Sequence, residues 1–322
     1  MPLRRIAGGP LIRPGDLPDL PPDLVDVSSV FNPGAARDGD RVVLLLRVQT
    51  RGRETFLLRA AAREGFGPFV FDDAPLRLAG VEGLPGRVHH VYDPRLTRLE
   101  GDWYCMVAVD IDDGCRLGLA RSHDLAEFEW LGLASRDDAR NGVLFPEKVG
   151  GRYLRLDRPN RIVAPGEPPS GDAIRLSASD DLLDWEPVAT VLEGRPHSWD
   201  ERVGPGPPPL KTRAGWLVVY HGVATHFGAA SVYQAGAALL DLADPGRVLA
   251  RSRRCFLEPR EPWERVGQVP NVVFPTGLLA DAEDADGCAP PEAGVLLYYG
   301  AADSCVGLAT GTVADLLDAC AD

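Results

Sequence analysis

Lysine is almost missing from this sequence, and basic residues as a class are outnumbered by acidic ones. Lys148 and Lys211 are the only lysines among 34 lysine and arginine residues, whereas aspartate and glutamate number 47 and the formal net charge is −13. Nucleic acids and anionic membranes are bound by positively charged surfaces. The charge balance therefore disfavours both as partners.

Long apolar runs and paired cysteines are also absent. No stretch approaches the ~20 apolar residues of a membrane span, and the first 20 residues contain no apolar core of a secretory signal peptide. The six cysteines form no Cys-x-x-Cys pair, and no histidine is spaced to complete a zinc site. We therefore expect a cytoplasmic protein with reduced thiols, and the sequence implies neither a metal nor an organic cofactor.

The common nucleotide-binding loops are missing too. The sequence contains no Gly-x-x-x-x-Gly-Lys loop and no Gly-x-Gly-x-x-Gly opening a helix. Both loops bind phosphate groups through backbone N–H groups at a helix start. Their absence disfavours a nucleotide as a ligand of this protein and favours a smaller anion.

A repeat runs through the whole chain. A glycine, often with a polar neighbour, opens a short apolar strand that ends in polar residues, and the opening glycines are 62, 50, 64 and 79 residues apart. β-rich units at such a spacing predict blades around an axis, so we expect an all-β, five-bladed β-propeller with an axial pocket. The alternative is five ordinary strands followed by polar loops. The copies are 39–47, 101–110, 151–158, 215–221 and 294–303.

Strand signals dominate between these copies. We predict one propeller domain over residues 1–322, with irregular segments in the first ~25 residues and at 280–293, and a short helix at 313–319. A second repeat, at 122–129 and 179–186, begins Ser-x-Asp-Leu, a pattern typical of a capped turn, so we assign it no chemistry. The clearest predicted strands are 42–46, 55–58, 116–120, 174–177, 217–220, 233–240 and 296–299.

Several polar residues would meet in an axial pocket of such a propeller. Each has an ordinary interpretation alone: Asp93 precedes a proline in a turn, and Lys211 is a lysine beside a strand. Together they make a cationic group in an acidic protein, and arginine and lysine are the preferred ligands of phosphate. The pocket therefore favours inorganic phosphate or a sugar phosphate. Its expected members are Arg47, Asp93, Arg140, Arg158, Lys211, His221 and Asp303.

The chain resembles glycoside hydrolase family 130, the β-mannoside phosphorylases and their hydrolytic relatives. The resemblance extends from about residue 30 to 303 and implies a five-bladed β-propeller. The stretches that carry it are FNPG (31–34), VYDPR (91–95), RNGVLFPEK (140–148), YLRLDRP (153–159), WDERVGPGPPPLKTRAGWLVVYHGV (199–223), YQAGAALLDLADP (233–245), VPNVVFPTG (269–277) and YYGAAD (298–303).

The resemblance also implies roles for individual residues. Asp93 matches the catalytic acid of the family. The positions that line the mannose subsite are Asn32, Arg47, Tyr92 and Asp303. The positions that cradle phosphate are Arg140, Arg158, Lys211, His221 and Tyr233. At Asp157 the family commonly has histidine, and an anion there would weaken phosphate binding unless its side chain points away or pairs with an arginine.

These roles predict an inverting β-mannoside phosphorylase that releases α-mannose 1-phosphate, with inorganic phosphate as co-substrate. Asp93 would have to be protonated near neutral pH, so we expect burial and a nearby negative ligand to raise its pKa. A hydrolase would need a second carboxylate as base, at Glu147 or Glu201, and a non-catalytic sugar-binding propeller is the third alternative. The sequence leaves open the linkage, the oligomeric state (including a homo-oligomer) and the acceptor, whose choice would rest on loops 159–172, 197–209 and 225–232.

Overall fold

The computed structural model describes residues 3–19, 21, 26–84, 86–160, 171–225 and 230–321. Five mostly antiparallel sheets form the blades of a β-propeller, which confirms the predicted fold class. The first strands are β1 (Arg4–Arg5), β2 (Val27–Asp38), β3 (Arg41–Thr50), β4 (Thr55–Ala62), β5 (Val70–Phe71), β6 (Leu78–Ala79), β7 (Val88–Leu99), β8 (Asp102–Ile111), β9 (Gly114–Ser122) and β10 (Phe128–Leu133). The remaining elements are β11 (Ala139–Leu144), β12 (Tyr153–Pro159), β13 (Ala173–Ser179), β14 (Glu186–Glu193), β15 (Arg202–Pro205), β16 (Leu210–Thr212), β17 (Gly215–Ala224), β18 (Val232–Leu240), β19 (Val248–Arg251), α1 (Pro262–Arg265), β20 (Val273–Ala280), β21 (Gly294–Ala301), β22 (Cys305–Thr312) and α2 (Val313–Ala321).

Each blade is built from strands that are close in sequence, with one exception. From the axis outward, the blades are β2-β3-β4-β5, β7-β8-β9-β10-β6, β11-β12-β13-β14, β15-β17-β18-β19 and β20-β21-β22-β1, with β16 pairing at the start of β17. The exception is β1, which completes blade 5 by pairing Arg4 with Thr310. We predicted that the first ~25 residues are irregular, and this is wrong at Arg4 and Arg5. A strand of two polar residues shows no alternation of apolar and polar side chains that could have revealed it. Residues 1, 2, 20 and 22–25 lie outside the described part.

The second strand of each blade explains why the repeat is so apolar. In β3, Val42 and Leu44 pack with residues of blade 5 such as Tyr298, whereas Val43 and Leu45 pack with residues of blade 2. Since successive side chains point to opposite faces of a strand, a blade between two neighbours must be apolar on both. Truncating one such side chain, as in Leu44→Ala, typically costs about 2–5 kcal/mol.

The secondary structure follows the remaining sequence predictions closely. All seven predicted strand segments lie within strands, and the predicted helix lies within α2. In the two Ser-x-Asp-Leu turns, Ser122 and Ser179 accept hydrogen bonds from the backbone N–H groups of Leu125 and Leu182, both at 2.9 Å. Their structural role is therefore confirmed.

The acidic insertion after β20 is irregular from residue 281 to 293 but well anchored. Cys288 and Ala289 are buried, and Arg213 bonds Asp284 and Asp286 at 2.9 and 2.6 Å. Residue 280, which we predicted to be irregular, is the last residue of β20. Among the described residues, no helix is long and apolar enough to cross a membrane.

Candidate active site

A β-bulge recurs in the innermost strands and turns polar side chains toward one end of the propeller. The pairing of β2 with β3, β7 with β8 and β11 with β12 shifts at the same point in each blade. The bulged residues Asn32, Asp93 and Asn141 have φ angles of 45°, 54° and 56°. Asparagine and aspartate tolerate this left-handed conformation better than other residues with side chains. The bulge therefore explains why these residue types stand at these positions.

Asp93 lies at the centre of a hydrogen-bonded group. Its Oδ1 atom accepts hydrogen bonds from Asn32 Nδ2 and Arg47 Nη1, both at 2.9 Å. The Arg47 guanidinium lies between two rings, 4.6 Å from the Phe31 centroid and 4.4 Å from the Tyr92 centroid. These contacts fix the carboxylate of Asp93, which is 10% exposed. The glycine at position 300 leaves the room that Asn32 occupies.

The two carboxylates of this group have opposite pKa shifts. Burial alone would raise the pKa of Asp93, but the charges of Arg47 and Arg95 and the Asn32 hydrogen bond outweigh it and lower the pKa. The raised pKa that we predicted for Asp93 depended on a nearby negative ligand; in the protein alone the pKa is lowered, because Arg95, which the sequence analysis did not place there, joins Arg47 beside the carboxylate. Asp303 shows the raised value instead: burial and the neighbouring Asp93 raise its pKa to about 6, against the opposing effect of Arg47.

This shift predicts that Asp303→Asn stabilises the protein. Folded Asp303 keeps its proton up to about pH 6, whereas the unfolded chain releases it near 3.8, so stability is lost as the pH rises between these values. The shift corresponds to roughly 3 kcal/mol. We expect Asp303→Asn to raise the free energy of unfolding by about 1–3 kcal/mol at about pH 7.5, with the gain shrinking toward zero at about pH 4. Urea unfolding at both pH values checks this, and an equal gain at both would contradict it.

A second group links Tyr92 to Arg140. The Tyr92 hydroxyl donates to Asp110 Oδ1 at 2.9 Å, and Arg140 Nη2 lies 3.9 Å from the same oxygen. Burial opposes the charge of Arg140, but its acidic neighbours, which include Tyr92, Cys115 and Asp110, raise its pKa above the ordinary value. Asp110 therefore connects a residue of the expected mannose subsite with one of the expected phosphate subsite.

Arg158, His221 and Tyr233 form a third group beside Arg140. The His221 ring stacks on Tyr233 with centroids 6.0 Å apart and packs against Phe274 at 4.5 Å. Burial, reinforced by Arg158 and Arg95, holds the pKa of His221 well below its ordinary value, so the ring is neutral. Neither ring nitrogen makes a well-formed hydrogen bond within the described residues, although the Pro205 carbonyl slightly favours the protonated form.

Arg158 is the unpaired cation of this group. Its Nη2 donates only a weak hydrogen bond to Asn160 Oδ1, at 3.4 Å, and no carboxylate in the described part of the chain forms an ion pair with it. Burial and the nearby Arg140 lower its pKa. A buried guanidinium without a counterion is costly. An anionic ligand would offset that cost.

Lys211 does not join this group, which corrects the sequence assignment. It is paired with Trp216 at the start of β17, whereas His221 is paired with Gly204 near the other end. Five residues of strand separate the two, about 16 Å at roughly 3.3 Å per residue. Lys211 Nζ instead bonds Glu147 Oε2 at 2.8 Å. Both residues line a cavity of about 570 Å³ at the end of the inner strands away from Asp93.

Asp157 points away from the cationic group. It is fully buried, and its carboxylate accepts hydrogen bonds from Arg155 Nε and Arg175 Nε, both at 2.9 Å. Successive residues of a strand face opposite sides, so Asp157 and Arg158 lie on opposite faces of β12. The departure from the family at this position therefore places no unpaired anion beside Arg158.

The two candidate bases, Glu147 and Glu201, have structural contacts, and so does the nearby Trp199. Glu147 is held by Lys211, and Glu201 accepts a hydrogen bond from the Thr225 hydroxyl. Trp199 stacks on Tyr220 at 5.6 Å and packs inside blade 4. Of the loops expected to select the acceptor, residues 161–170 and 226–229 lie outside the described part.

Sequence reasoning missed three residues of the site. Asn141 occupies the same bulge as Asp93, is 6% exposed, and its Oδ1 has no hydrogen-bond partner within the described residues. Phe274 lies one residue farther from the bulge of blade 5 than Phe31 and Tyr92 lie from theirs, so the recurring aromatic could have revealed it. Gly204 lies against the His221 ring, because a Cβ added at Gly204 would come within 2.5 Å of it. Arg202, two residues earlier in β15, is on the same face of that strand.

Comparison with known protein families agrees over almost the whole chain. Residues 21–322 match the glycoside hydrolase 130 family model, described as beta-1,4-mannooligosaccharide phosphorylase. A 1,2-β-oligomannan phosphorylase from Thermoanaerobacter sp. (strain X514) is 31% identical over 306 residues, covering 90% of this chain and 92% of that protein. A β-1,4-mannooligosaccharide phosphorylase from Ruminococcus albus is 34% identical over 228 residues, covering 70% of this chain and 64% of that protein.

Solved structures agree in fold. The β-1,2-mannobiose phosphorylase from Listeria innocua, in complex with β-1,2-mannobiose, superposes with a TM-score of 0.84. Its sequence is 24% identical, and the superposition covers 100% of this chain and 99% of that one. At this identity the likeness concerns the five-bladed architecture alone.

Proposed function

The chain belongs to glycoside hydrolase family 130, and we propose that it is an inverting phosphorylase that cleaves a β-mannoside with inorganic phosphate and releases α-mannose 1-phosphate. Relatives of similar identity are named for different β-mannosides, so the proposal names the substrate class and leaves the linkage to experiment. Inorganic phosphate is the co-substrate, and we propose no metal or organic cofactor.

One observation carries this proposal: the fixed carboxylate of Asp93 stands near a group of cations that includes Arg158, which has no ion-pair partner within the described residues. His221 is neutral, and its ring nitrogens are free in the described part of the chain. A phosphorylase needs cations that hold phosphate in line beneath the anomeric carbon. It needs no second carboxylate, because phosphate is already an anion.

The chemistry follows from this division of the site. Asn32, Arg47, Tyr92 and Asp303 would orient the mannose, and Arg140, Arg158, His221 and Tyr233 would hold the phosphate. A phosphate oxygen bonds the anomeric carbon from the face opposite the leaving oxygen, so the β-linkage becomes an α-phosphate. The leaving oxygen takes a proton from Asp93, passed through the mannose 3-hydroxyl as the family resemblance implies.

The low pKa of Asp93 requires a source for that proton. With Arg47 and Arg95 beside it, Asp93 is ionised without ligand. We propose that the proton enters with phosphate: a bound phosphate monoanion protonates Asp93, and its own negative charge then favours the protonated acid. After the glycosidic bond breaks, the proton from Asp93 is on the released hydroxyl, the new phosphate ester keeps the second proton of the monoanion, and Asp93 is again a carboxylate.

A hydrolase would need a base across the sugar from Asp93. Of the two candidates from the sequence, Glu147 lies at the far end of the inner strands, bonded to Lys211. Glu201 is bonded to Thr225, and this hydrogen bond lowers its pKa. Neither contact supports a water-activating role, so we propose phosphorolysis over hydrolysis.

Synthesis in reverse tests the proposal. The protein is incubated with α-mannose 1-phosphate and glucose, mannose or N-acetylglucosamine as acceptor, and released phosphate is measured. We expect release with at least one acceptor, and analysis of the product gives the linkage. Phosphate-independent liberation of mannose from β-mannobioses would show a hydrolase instead, and no turnover of any mannoside would leave a sugar-binding propeller.

A further inference from the structure

Blade 2 departs from the other blades at one buried position. The second residue after the bulge is Gly34 in blade 1 and Val143 in blade 3, and the bulge of blade 5 ends at Gly277. In blade 2 the corresponding residue is Arg95, whose side chain is 1% exposed. Among these four blades, this position therefore holds a buried charge only in blade 2, next to Asp93.

The Arg95 guanidinium joins three blades beneath the candidate site. Its Nη1 donates to the backbone carbonyls of Asp93 and Pro94 at 3.0 and 3.3 Å, and its Nε donates to the Gly206 carbonyl of blade 4 at 2.8 Å. It lies 5.7 Å from the Phe274 ring centroid of blade 5. These bonds hold the two residues of the Asp93 bulge from below.

Packing alone does not account for a charged residue here. No carboxylate in the described residues bonds Arg95, and its Nη2 is buried without a partner. Burial lowers its pKa to about 10, and Asp93 opposes this shift. Glycine or valine fills the position in other blades, and apolar replacement of buried charges is often neutral or stabilising. The charge must therefore serve something other than the fold.

The charge of Arg95 acts on both halves of the site. The charged and polar groups facing Asp93 are Arg47, Asn32, Asp303 and Arg95 itself. The titratable groups facing Arg95 from the surrounding strands are Asp93, Cys105 and His221. Arg95 thus lies between the acid and the histidine of the phosphate subsite.

We propose that Arg95 is a positioning residue: it holds the Asp93 bulge in its left-handed conformation and supplies a buried positive charge shared by the acid and the bound phosphate. The proposal rests on the proposed function, because it assigns the anion to phosphate. Arg95 would contribute in two ways, through its hydrogen bonds to backbone carbonyls and through its positive charge. Different substitutions remove the two contributions.

Arg95→Met and Arg95→Lys test these contributions. Three quantities are measured. Calorimetry gives the affinity for inorganic phosphate, and turnover is measured by kinetics. Carbon-13 NMR of aspartate-labelled protein gives the pKa of Asp93, whose resonance is assigned by comparison with Asp93→Asn. We expect Arg95→Met to raise the pKa of Asp93 by about one unit or more and to weaken phosphate binding by about tenfold. Arg95→Lys keeps the charge, so both values should stay near wild type while turnover falls by about tenfold or more.

Arg155→Met is the matched control. Arg155 is also 1% exposed but bonds Asp157 in blade 3, so its loss should lower stability without moving the Asp93 titration. A folded Arg95→Met protein with unchanged Asp93 pKa and phosphate affinity would overturn the charge role. If Arg95→Met does not fold, Arg95→Lys decides: wild-type turnover in that variant would overturn the positioning role.

The same measurements separate this inference from the proposed function. If wild-type protein turns over no mannoside, the proposed activity fails, yet the NMR titration still reports whether Arg95 controls Asp93. If wild type is an active phosphorylase and Arg95→Met matches it in pH profile and in KM for phosphate, the inference about Arg95 fails alone.

Discussion

Replacing Asp93 with asparagine is expected to lower kcat for phosphorolysis by about 10²- to 10⁴-fold, the usual contribution of a general acid. The amide cannot donate the carboxylic proton but keeps the shape of the side chain. Asn32 and Asn141 already occupy the same bulge with φ angles of 45° and 56°, close to the 54° of Asp93. The backbone should therefore tolerate the change.

Steady-state kinetics with a β-mannobiose and phosphate measure this effect, and thermal unfolding shows whether the fold is kept. Because Asp93 faces two guanidinium groups, the variant leaves Arg47 without a carboxylate partner, so a small change in stability is compatible with the prediction. An Asp93→Asn protein with wild-type kcat would remove Asp93 from the role of acid.

Replacing Arg158 with methionine is expected to lower kcat/KM for phosphate by about 10²- to 10³-fold, as for other groups that stabilise an anion in a transition state. Arg158 lies with His221 and Arg140 in the group that we propose to hold phosphate, and it makes no contact with Arg47 or Asp93 among the bonds of the described residues. Affinity for the mannoside should therefore change little. Stability should not fall, because the half-buried guanidinium that is removed has no ion-pair partner within the described residues.

Lys211→Met is the control for this substitution. Lys211 shares the positive charge but bonds Glu147 at the opposite end of the inner strands, so KM for phosphate should stay at its wild-type value. Initial rates at varied phosphate concentrations compare the two variants. A larger loss from Lys211→Met than from Arg158→Met would mean that phosphate binds at the other end of the propeller.

The fold could be predicted because each blade repeats the same local pattern. The second strand is buried on both faces, so it is written as an unbroken apolar run, and its position after a glycine recurs five times. The pairing of β1 could not be predicted, because Arg4 and Arg5 become a strand only through contact with Thr310 and Ala309. Local sequence carries no signal for a partner about 300 residues away.

The grouping of the candidate residues could be predicted from the sequence, but their electrostatics could not. The motifs around Asp93, Arg158 and His221 bring most of the predicted residues to one end of the propeller. The assignment of Lys211 to the phosphate group was wrong because its motif spans both ends of one hairpin. Only the strand register shows which end Lys211 occupies. The lowered pKa of Asp93 in the protein alone could not be predicted, because it depends on Arg95, whose burial beneath the bulge follows from packing between blades 2, 4 and 5.

The N-terminal strand has a consequence for how the ring is assembled. Blades 1 to 4 use strands that follow one another closely, so each can form from a continuous stretch of chain. Blade 5 needs residues from both ends, and Arg5 also bonds the buried Glu264 at 2.6 Å. Contacts at such sequence separation form late and slowly. The strand β1 therefore stays without its partner until β22, about 300 residues further along the chain, has been synthesised, and the ring closes only after that.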